Sequence, residues 1–552
     1  MLLGIDVGGT FTDGAVVADG KVISVVKIPT SHDNLLKGIL QAIDQVVEAV
    51  GSCNFSRIAL STTIVTNALI EGTLDEIGLC IIPGPGMDIK FILPIEPYIL
   101  SGYIDHRGRE VASPAQEEVQ AACQHFAACK VFAVSGKFSV RNPSGELSVV
   151  AWIEKQASVE HITVGSEVSG SLNFLRRTNS AYYNAAVWRH FNDFANAVTA
   201  ALEARGIHAP VYVLKADGGT LPLLTARNYP VEGIFTGPAA SVLGIMAMHP
   251  TKVPSVSLDI GGTTTDIALW QDGVPLFTEG GVKVNGHPTA LRGFRLKSVG
   301  VGGDSLICCE EGQIRIKPMR LGPAMAVGGL HPTVADAMIV AEKSHFGNVN
   351  LAIDAMKRVA THGQTPLEVA NLVLHEAVRV ICHGIKEMLV EQAAEPVYCV
   401  KDIVHDRKLD IKQIIGVGGC AAGLVPLVAS KLGLAYQLPK QGMVANAIGA
   451  AVARPTVDIT LRVDTVEGFY TVAELGIKKK LPWQNFTLAD AKELAEEHLA
   501  KLATIRGIPL GESEMLQSEE FNVIQGFTTK GKIISCRLQV KPGVLFNDKE
   551  GV

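Results

Sequence analysis

Two short segments of this sequence combine carboxylates, glycines and hydroxyls at one spacing. Gly4 to Val16 reads GIDVGGTFTDGAV and Ser257 to Leu269 reads SLDIGGTTTDIAL, with seven identities in thirteen positions and the shared core D-x-G-G-T-x-T-D. In each copy an apolar run ends in an aspartate, turns on Gly-Gly and resumes as an apolar run, which is the pattern of a β-hairpin. Glycines let successive backbone N–H groups point into one concavity, and threonine hydroxyls add donors, so each turn is expected to cradle phosphate. Gly8, Gly9, Thr10, Phe11 and Thr12 are expected to contact one part of a triphosphate, and Gly261, Gly262, Thr263, Thr264 and Thr265 another part from the opposite side. Asp6 and Asp259, at the strand ends, suit Mg²⁺, which keeps several waters and takes only one or two carboxylates plus phosphate oxygens. ATP with Mg²⁺ is therefore the expected cofactor pair. Such a site works by position and electrostatics as the γ-phosphoryl group leaves, without a covalent nucleophile. Asp13 and Asp266 close the two hairpins and either reach the nucleotide or only staple the turn.

Other glycine turns extend the pattern. GVGGCA, from Gly416 through Gly418 and Gly419 to Ala421, fits an adenosine-binding turn, and Gly302 and Gly303 precede Asp304 in GVGGDSL. Asp304, with Asp6 and Asp259, completes the expected catalytic carboxylates, while Asp217 in KADGGTL reads more simply as a turn hydrogen bond. No P-loop GxxxxGK[ST] occurs, and the GxGxxA match at Gly416 lacks the acidic residue about twenty positions on that a ribose needs. His375 and His383, two helical turns apart without a third ligand, read as structural. Asn67 and Asn446 are expected at helices crossing between lobes, where Ala445, Ala447 and Gly449 allow close packing and hinge closure.

A repeat separated by about 250 residues is far too long for a solenoid of 20 to 50, so it reads as a duplicated lobe. Between the hairpins, strand-like runs (130–135, 211–214) alternate with helix-like ones (115–128, 181–204), the signature of α/β layers. Thr365, Pro366 and Glu368 open a long helix running to about Gln392, as N-cap, first residue and capping-box partner. After Pro455 the chain turns polar, and Gly531 to Val544 alternates like an edge strand. Three segments are expected: 1–170 and 171–455, which together make the two lobes, and 456–552 as an appended segment.

The 552 residues carry a formal net charge of −6 and 47% hydrophobic residues. That balance leaves no basic footprint for nucleic acid. Ten scattered cysteines without a CxxC pair fit a reducing compartment. The opening MLLGIDVGGT carries no leader, and no apolar run reaches membrane-span length, so a cytoplasmic chain with a small-molecule substrate is expected.

In order along the chain, GIDVGGTFTD, STTIVTNALIEG from Ser61, RNPSGE from Arg141, GSEVSG from Gly165, RRTNSAYYNA from Arg176, TGPAASVLG from Thr236, DIGGTTTDIAL from Asp259, GVGGDSL from Gly300, PTVADA from Pro332 and GMVANAIGAA from Gly442 resemble the ATP-binding, A-type subunit of the hydantoinase/oxoprolinase family. The resemblance implies an α/β, two-lobed, duplicated ribonuclease-H-like fold of the actin and hexokinase type. It further implies an oligomeric, ATP-dependent cyclic amidohydrolase that phosphorylates the carbonyl of a hydantoin, 5-oxoproline or lactam for ring opening, with a B subunit completing the site. Related complexes use the same half to activate ketones for carboxylation. A third possibility within this fold is an ATPase switch that regulates a partner protein. The family's usual GAGGGS reads GVGGDS here, which introduces Asp304.

Overall fold

A computed structural model describes residues 1–30, 35–87, 93–361, 363–394, 409–483 and 485–546. The first lobe is built on β1 (Leu2–Val7), β2 (Phe11–Ala18), β3 (Lys21–Pro29), β4 (Arg57–Thr62), β5 (Val211–Leu214) and β6 (Thr220–Pro222), in the order β6-β5-β4-β1-β2-β3. β1 and β4 are buried at every position, as expected of central strands covered on both faces. The antiparallel β1–β2 ladder opposes Asp6 and Asp13, while β4 runs parallel to β1. The second lobe repeats this plan with β7 (Ser255–Ile260), β8 (Thr265–Gln271), β9 (Leu296–Val299), β10 (Gln413–Val417) and β11 (Ala435–Gln437). Here β7, β8 and β9 form the antiparallel part, and β10 and β11 continue in parallel from β7. Asp259 opposes Asp266 as Asp6 opposes Asp13. The duplication seen in thirteen residues thus extends to whole sheets.

The expected helix over 181–204 is two helices. α1 (Phe174–Ala186) is buried on nearly every side, whereas the helix Trp188–Glu203 buries one apolar face. Val187, with φ −104° and ψ 1°, separates these two environments. The lobes are joined by α2 (Thr236–Met248) and, after the long α3 (Pro366–Ala393) and α4 (Ala421–Leu432), by α5 (Ala445–Val452). α3 has the expected capping box: the Thr365 N–H donates to Glu368 Oε2 at 2.7 Å and the Glu368 N–H to Thr365 Oγ1 at 3.3 Å. α2 and α5 cross at backbone contact, since a Cβ on Gly449 would lie 1.9 Å from the Ala240 carbonyl oxygen. Only glycine permits that approach.

The first lobe also carries a small sheet of Gly78–Ile82, Tyr98–Ile99, Val131–Gly136 and His161–Val164. Its strand ends are tied by three of the motifs. The fully buried Glu146 accepts from the Gly136 N–H at 2.7 Å, the Ser166 N–H at 3.1 Å and the Ser166 hydroxyl at 2.5 Å. Arg177 donates to the Ser171 and Gly136 carbonyls.

Residues 458–540 form a third layer: β12 (Asp458–Asp464), β13 (Phe469–Val472), β14 (Ile477–Lys480), α6 (Leu488–Ile505), β15 (Ser513–Gln525) and β16 (Thr528–Val540), with the sheet ordered β14-β13-β12-β16-β15. The segment expected as an edge strand is β16, which lies inside the sheet between β12 and β15. The edge belongs to β15, whose largely exposed, polar face gave no strand signal. This layer shares one continuous apolar core with the first lobe, from Leu3 and Ile5 to Val463, Leu499 and Leu538. Among the described residues no helix is long and apolar enough to cross a membrane.

Candidate nucleotide site

The two hairpin turns face each other across a cleft of about 580 Å³. They close identically: the Gly8 N–H donates to the Phe11 carbonyl at 3.0 Å, and the Gly261 N–H to the Thr264 carbonyl at 3.0 Å. Neither glycine pair adopts a positive φ. What glycine supplies here is room: a Cβ on Gly262 would come within 2.5 Å of Thr10 Oγ1 on the opposite turn, and a Cβ on Gly9 would occupy open cleft. Gly8, Gly9, Thr10, Phe11 and Asp13 line the cleft from one lobe, and Gly261, Gly262, Thr263, Thr264 and Asp266 from the other.

Asp6 and Asp259 are side by side at its floor, bridged by the Asn446 amide at the start of α5, which hydrogen-bonds to both. Burial pushes Asp6 up to about 7 and Asp259 to about 6 from the ordinary 3.8. Hydrogen bonds from Ser61 to Asp6 and from Ser241 to Asp259 oppose the rise, and the charge of Asp13 adds to it at both. Asp13 has its own cation, since Lys27 Nζ lies 2.8 Å from both carboxylate oxygens. Asp6 Oδ1, by contrast, is buried without a hydrogen-bond partner. Two desolvated carboxylates with an orphaned oxygen are the donor set a hydrated divalent cation completes.

This arrangement has a pH consequence. A carboxyl whose folded pKa is raised favours its protonated form in the fold, so its stabilising contribution is present below pH 4 and is lost as pH rises toward 7. The melting temperature of the nucleotide-free chain is therefore expected to fall between pH 4.5 and 7.5. The increment given by Mg²⁺ and ATP should grow over the same window; thermal melts in both conditions measure it.

The GVGGDS loop braces the second turn. The Gly303 and Asp304 N–H groups donate to the Gly261 and Gly262 carbonyls at 3.0 and 2.6 Å, and Arg320 Nε reaches Asp304 Oδ2 at 2.9 Å. Gly418 sits at φ +92°, where a Cβ would also strike Asp259 Oδ1 at 2.6 Å, and Gly419 opens onto the cleft.

Four expected contacts are placed elsewhere. Thr12 and Thr265 are fully buried, their hydroxyls engaged with Thr30 Oγ1 at 3.1 Å and the Val301 carbonyl at 2.7 Å. In each hairpin, strand alternation turns that threonine away from the cleft. Gly302 packs behind the turn, where a Cβ would lie 2.6 Å from the Gly262 and Thr263 backbone. Gly416 belongs to β10 and faces Val425 and Leu438. Asp217 lies away from the cleft: it accepts from the Gly219 N–H at 2.9 Å and from Gln539 at 2.8 Å. His375 and His383 are exposed on α3. Asn446, read from sequence as a helix contact, is central instead. Lys27, Arg320 and the apolar group Pro323, Ala324, Val327 and Phe346 also line the cleft, and of these only Lys27 had a signal, its strand register opposite Asp13.

The profile of the hydantoinase/oxoprolinase family matches residues 177–459, and that of its N-terminal region matches residues 2–157. The chain is 26% identical over 480 residues to the alpha subunit of caprolactamase from Pseudomonas jessenii, covering 78% of this chain and 67% of that protein. It is 26% identical over 391 residues to the acetophenone carboxylase gamma subunit of Aromatoleum aromaticum, covering 61% of this chain and 52% of that protein. With the 5-oxoprolinase of Saccharomyces cerevisiae it shares 22% identity over 408 residues, 61% of this chain and 31% of that one. The chain thus spans only about a third to two thirds of these relatives. Among solved structures, the ATP-dependent caprolactamase of Pseudomonas jessenii superposes with a TM-score of 0.74 at 20% identity, over 98% of this chain and 87% of that one. A nucleotide-free acetone carboxylase superposes with a TM-score of 0.69 at 16% identity, over 99% and 88%. Both likenesses concern the fold.

Proposed function

The chain belongs to the hydantoinase/oxoprolinase family, and from that premise we propose that it binds ATP between its two glycine hairpins and phosphorylates the carbonyl oxygen of a small cyclic amide. The observation that carries this reading is the pair of facing, identically closed turns over the buried carboxylates Asp6 and Asp259, with Asp6 Oδ1 unpartnered. Those two carboxylates would hold Mg²⁺. The ion supplies charge neutralisation at the transferring phosphoryl group.

The chain's own groups do the rest. Backbone N–H groups of Gly9, Thr10, Gly262 and Thr263 orient the triphosphate, Asn446 fixes both carboxylates, and Pro323, Ala324, Val327 and Phe346 offer the apolar surface an adenine needs. Closing the lobes about the α2–α5 crossing excludes water from the γ-phosphate. In the transfer, a lone pair of the amide oxygen forms the new O–P bond and the β–γ bridging P–O bond breaks, leaving its electrons on ADP. The amide nitrogen then gives its proton to solvent. Water adds to the activated carbon, and the C–N bond breaks as the nitrogen takes up protons from solvent and leaves an acyl phosphate. A second water attacks its carbonyl carbon to give the carboxylate and release phosphate that carries the former carbonyl oxygen. Because the chain is similar to named subunits of larger enzymes, we assign the hydrolytic half to a B-type partner.

The test is ADP formation by the purified chain with Mg²⁺, with and without hydantoins, 5-oxoproline and lactams. Ring-stimulated turnover is expected; slow turnover that no ring accelerates would favour a regulatory ATPase. The identity with a carboxylase gamma subunit makes ketone activation the second reading, which requires stimulation by a ketone and dependence on bicarbonate.

A further inference from the structure

A second cavity, of about 590 Å³, lies against the nucleotide cleft, and Asp266 and Pro238 belong to the walls of both. Ligands in the two spaces would be separated by little more than one side chain. This second chamber is formed between the lobes, with Ala216 and Phe235 from the first and Leu296, Ser298 and Phe294 from the second lobe and its loop.

The two lobes differ at one matched position facing it. β3 sets Lys27 opposite Asp13, and β9 sets Ser298 opposite Asp266. Asp13 therefore has a cation at 2.8 Å, while Asp266 has the Ser298 hydroxyl. At the matched position on the side where the chamber lies, the duplicated plan carries a hydroxyl in place of the ammonium group. The chamber wall also carries Arg176, Lys283 and Arg295 beside Glu279 and Glu391. Arg176 donates to the Gly280 carbonyl, Arg295 faces Glu279 and Glu391, and Lys283 is exposed to solvent.

We propose that this chamber binds the phosphoryl acceptor, a lactam or cyclic imide, with its N–H edge toward Asp266 and its hydrocarbon against Phe235, Phe294 and Leu296. The proposal rests on the ring-activating reading above and assigns where its acceptor sits. Asp266 acts here as a positioning residue that accepts a hydrogen bond from the ring nitrogen.

The test uses the full chain with Mg²⁺ and ε-caprolactam, 2-pyrrolidinone and 5-oxoproline as probes, measured by equilibrium dialysis and by ring-stimulated ADP release. Leu296→Trp fills the chamber and is expected to weaken caprolactam binding by about tenfold or more while ATP binding, which also reports folding, stays within about twofold. Leu296→Ala should shift preference toward the larger ring. Unchanged caprolactam affinity in both Leu296 variants would overturn the chamber while leaving ring activation standing. Ring binding that is lost in Leu296→Trp but never stimulates ADP release would uphold the chamber and overturn ring activation. Absence of ring binding to the wild-type chain would overturn both.

Discussion

Asp6→Asn and Asp259→Asn are each expected to lower ATP turnover by about 10³-fold or more, the scale on which one preorganised electrostatic group acts in a water-excluded site, and neither should unfold the chain. Both carboxylates are desolvated and Asp6 Oδ1 has no partner, so an amide of nearly the same shape removes a buried negative charge that nothing within the protein neutralises. At pH 8, where the wild-type carboxyls lie above their raised pKa values, each variant should melt at the same temperature or higher. Loss of activity with gain of stability marks a site kept strained for its ligand. Steady-state ADP release and thermal melts, run on the same preparations, measure both halves.

Gly302→Val should cost about 10²-fold in kcat/KM for ATP, the scale of an ångström-level displacement of a reacting group. Gly302 makes no contact with the cleft. Its added side chain would start 2.6 Å from the Gly262 and Thr263 backbone, so the second turn must move toward Thr10. The same move breaks the Gly303 and Asp304 hydrogen bonds to the Gly261 and Gly262 carbonyls. Nucleotide titration and initial rates distinguish this from a folding defect, because melting should change less than ATP affinity.

The duplicated hairpins and the floor aspartates were legible because the chemistry needs several residue types at fixed spacing within eight positions, and such a pattern survives in one dimension. The long α3 was legible through its capping box, which is also local. What sequence could not reveal was direction. Thr12 and Thr265 read as phosphate donors, yet strand alternation turns both hydroxyls inward, to Thr30 and Val301. Gly416 and Gly418 read as one turn, yet the strand runs through Val417 and only Gly418 takes the positive φ. Asn446 bridges two aspartates that come from hairpins about 250 residues apart, and its partners become visible only once α5 crosses between the lobes. Arg320 reaches Asp304 from a stretch with no motif. The interior position of β16 depends on a polar β15 that nothing in its own residues marks as a strand.

The most direct measurement follows the carbonyl oxygen. A cyclic amide labelled with ¹⁸O at the carbonyl is incubated with the chain, ATP and Mg²⁺, and the phosphoryl products are weighed by mass spectrometry. Attack of that oxygen on the γ-phosphorus predicts one ¹⁸O in the phosphoryl group, whether still on the ring or released as phosphate, in step with ADP formed. ADP accompanied by unlabelled phosphate, with the label retained in the ring amide, would mean that water attacks ATP directly and would contradict carbonyl phosphorylation.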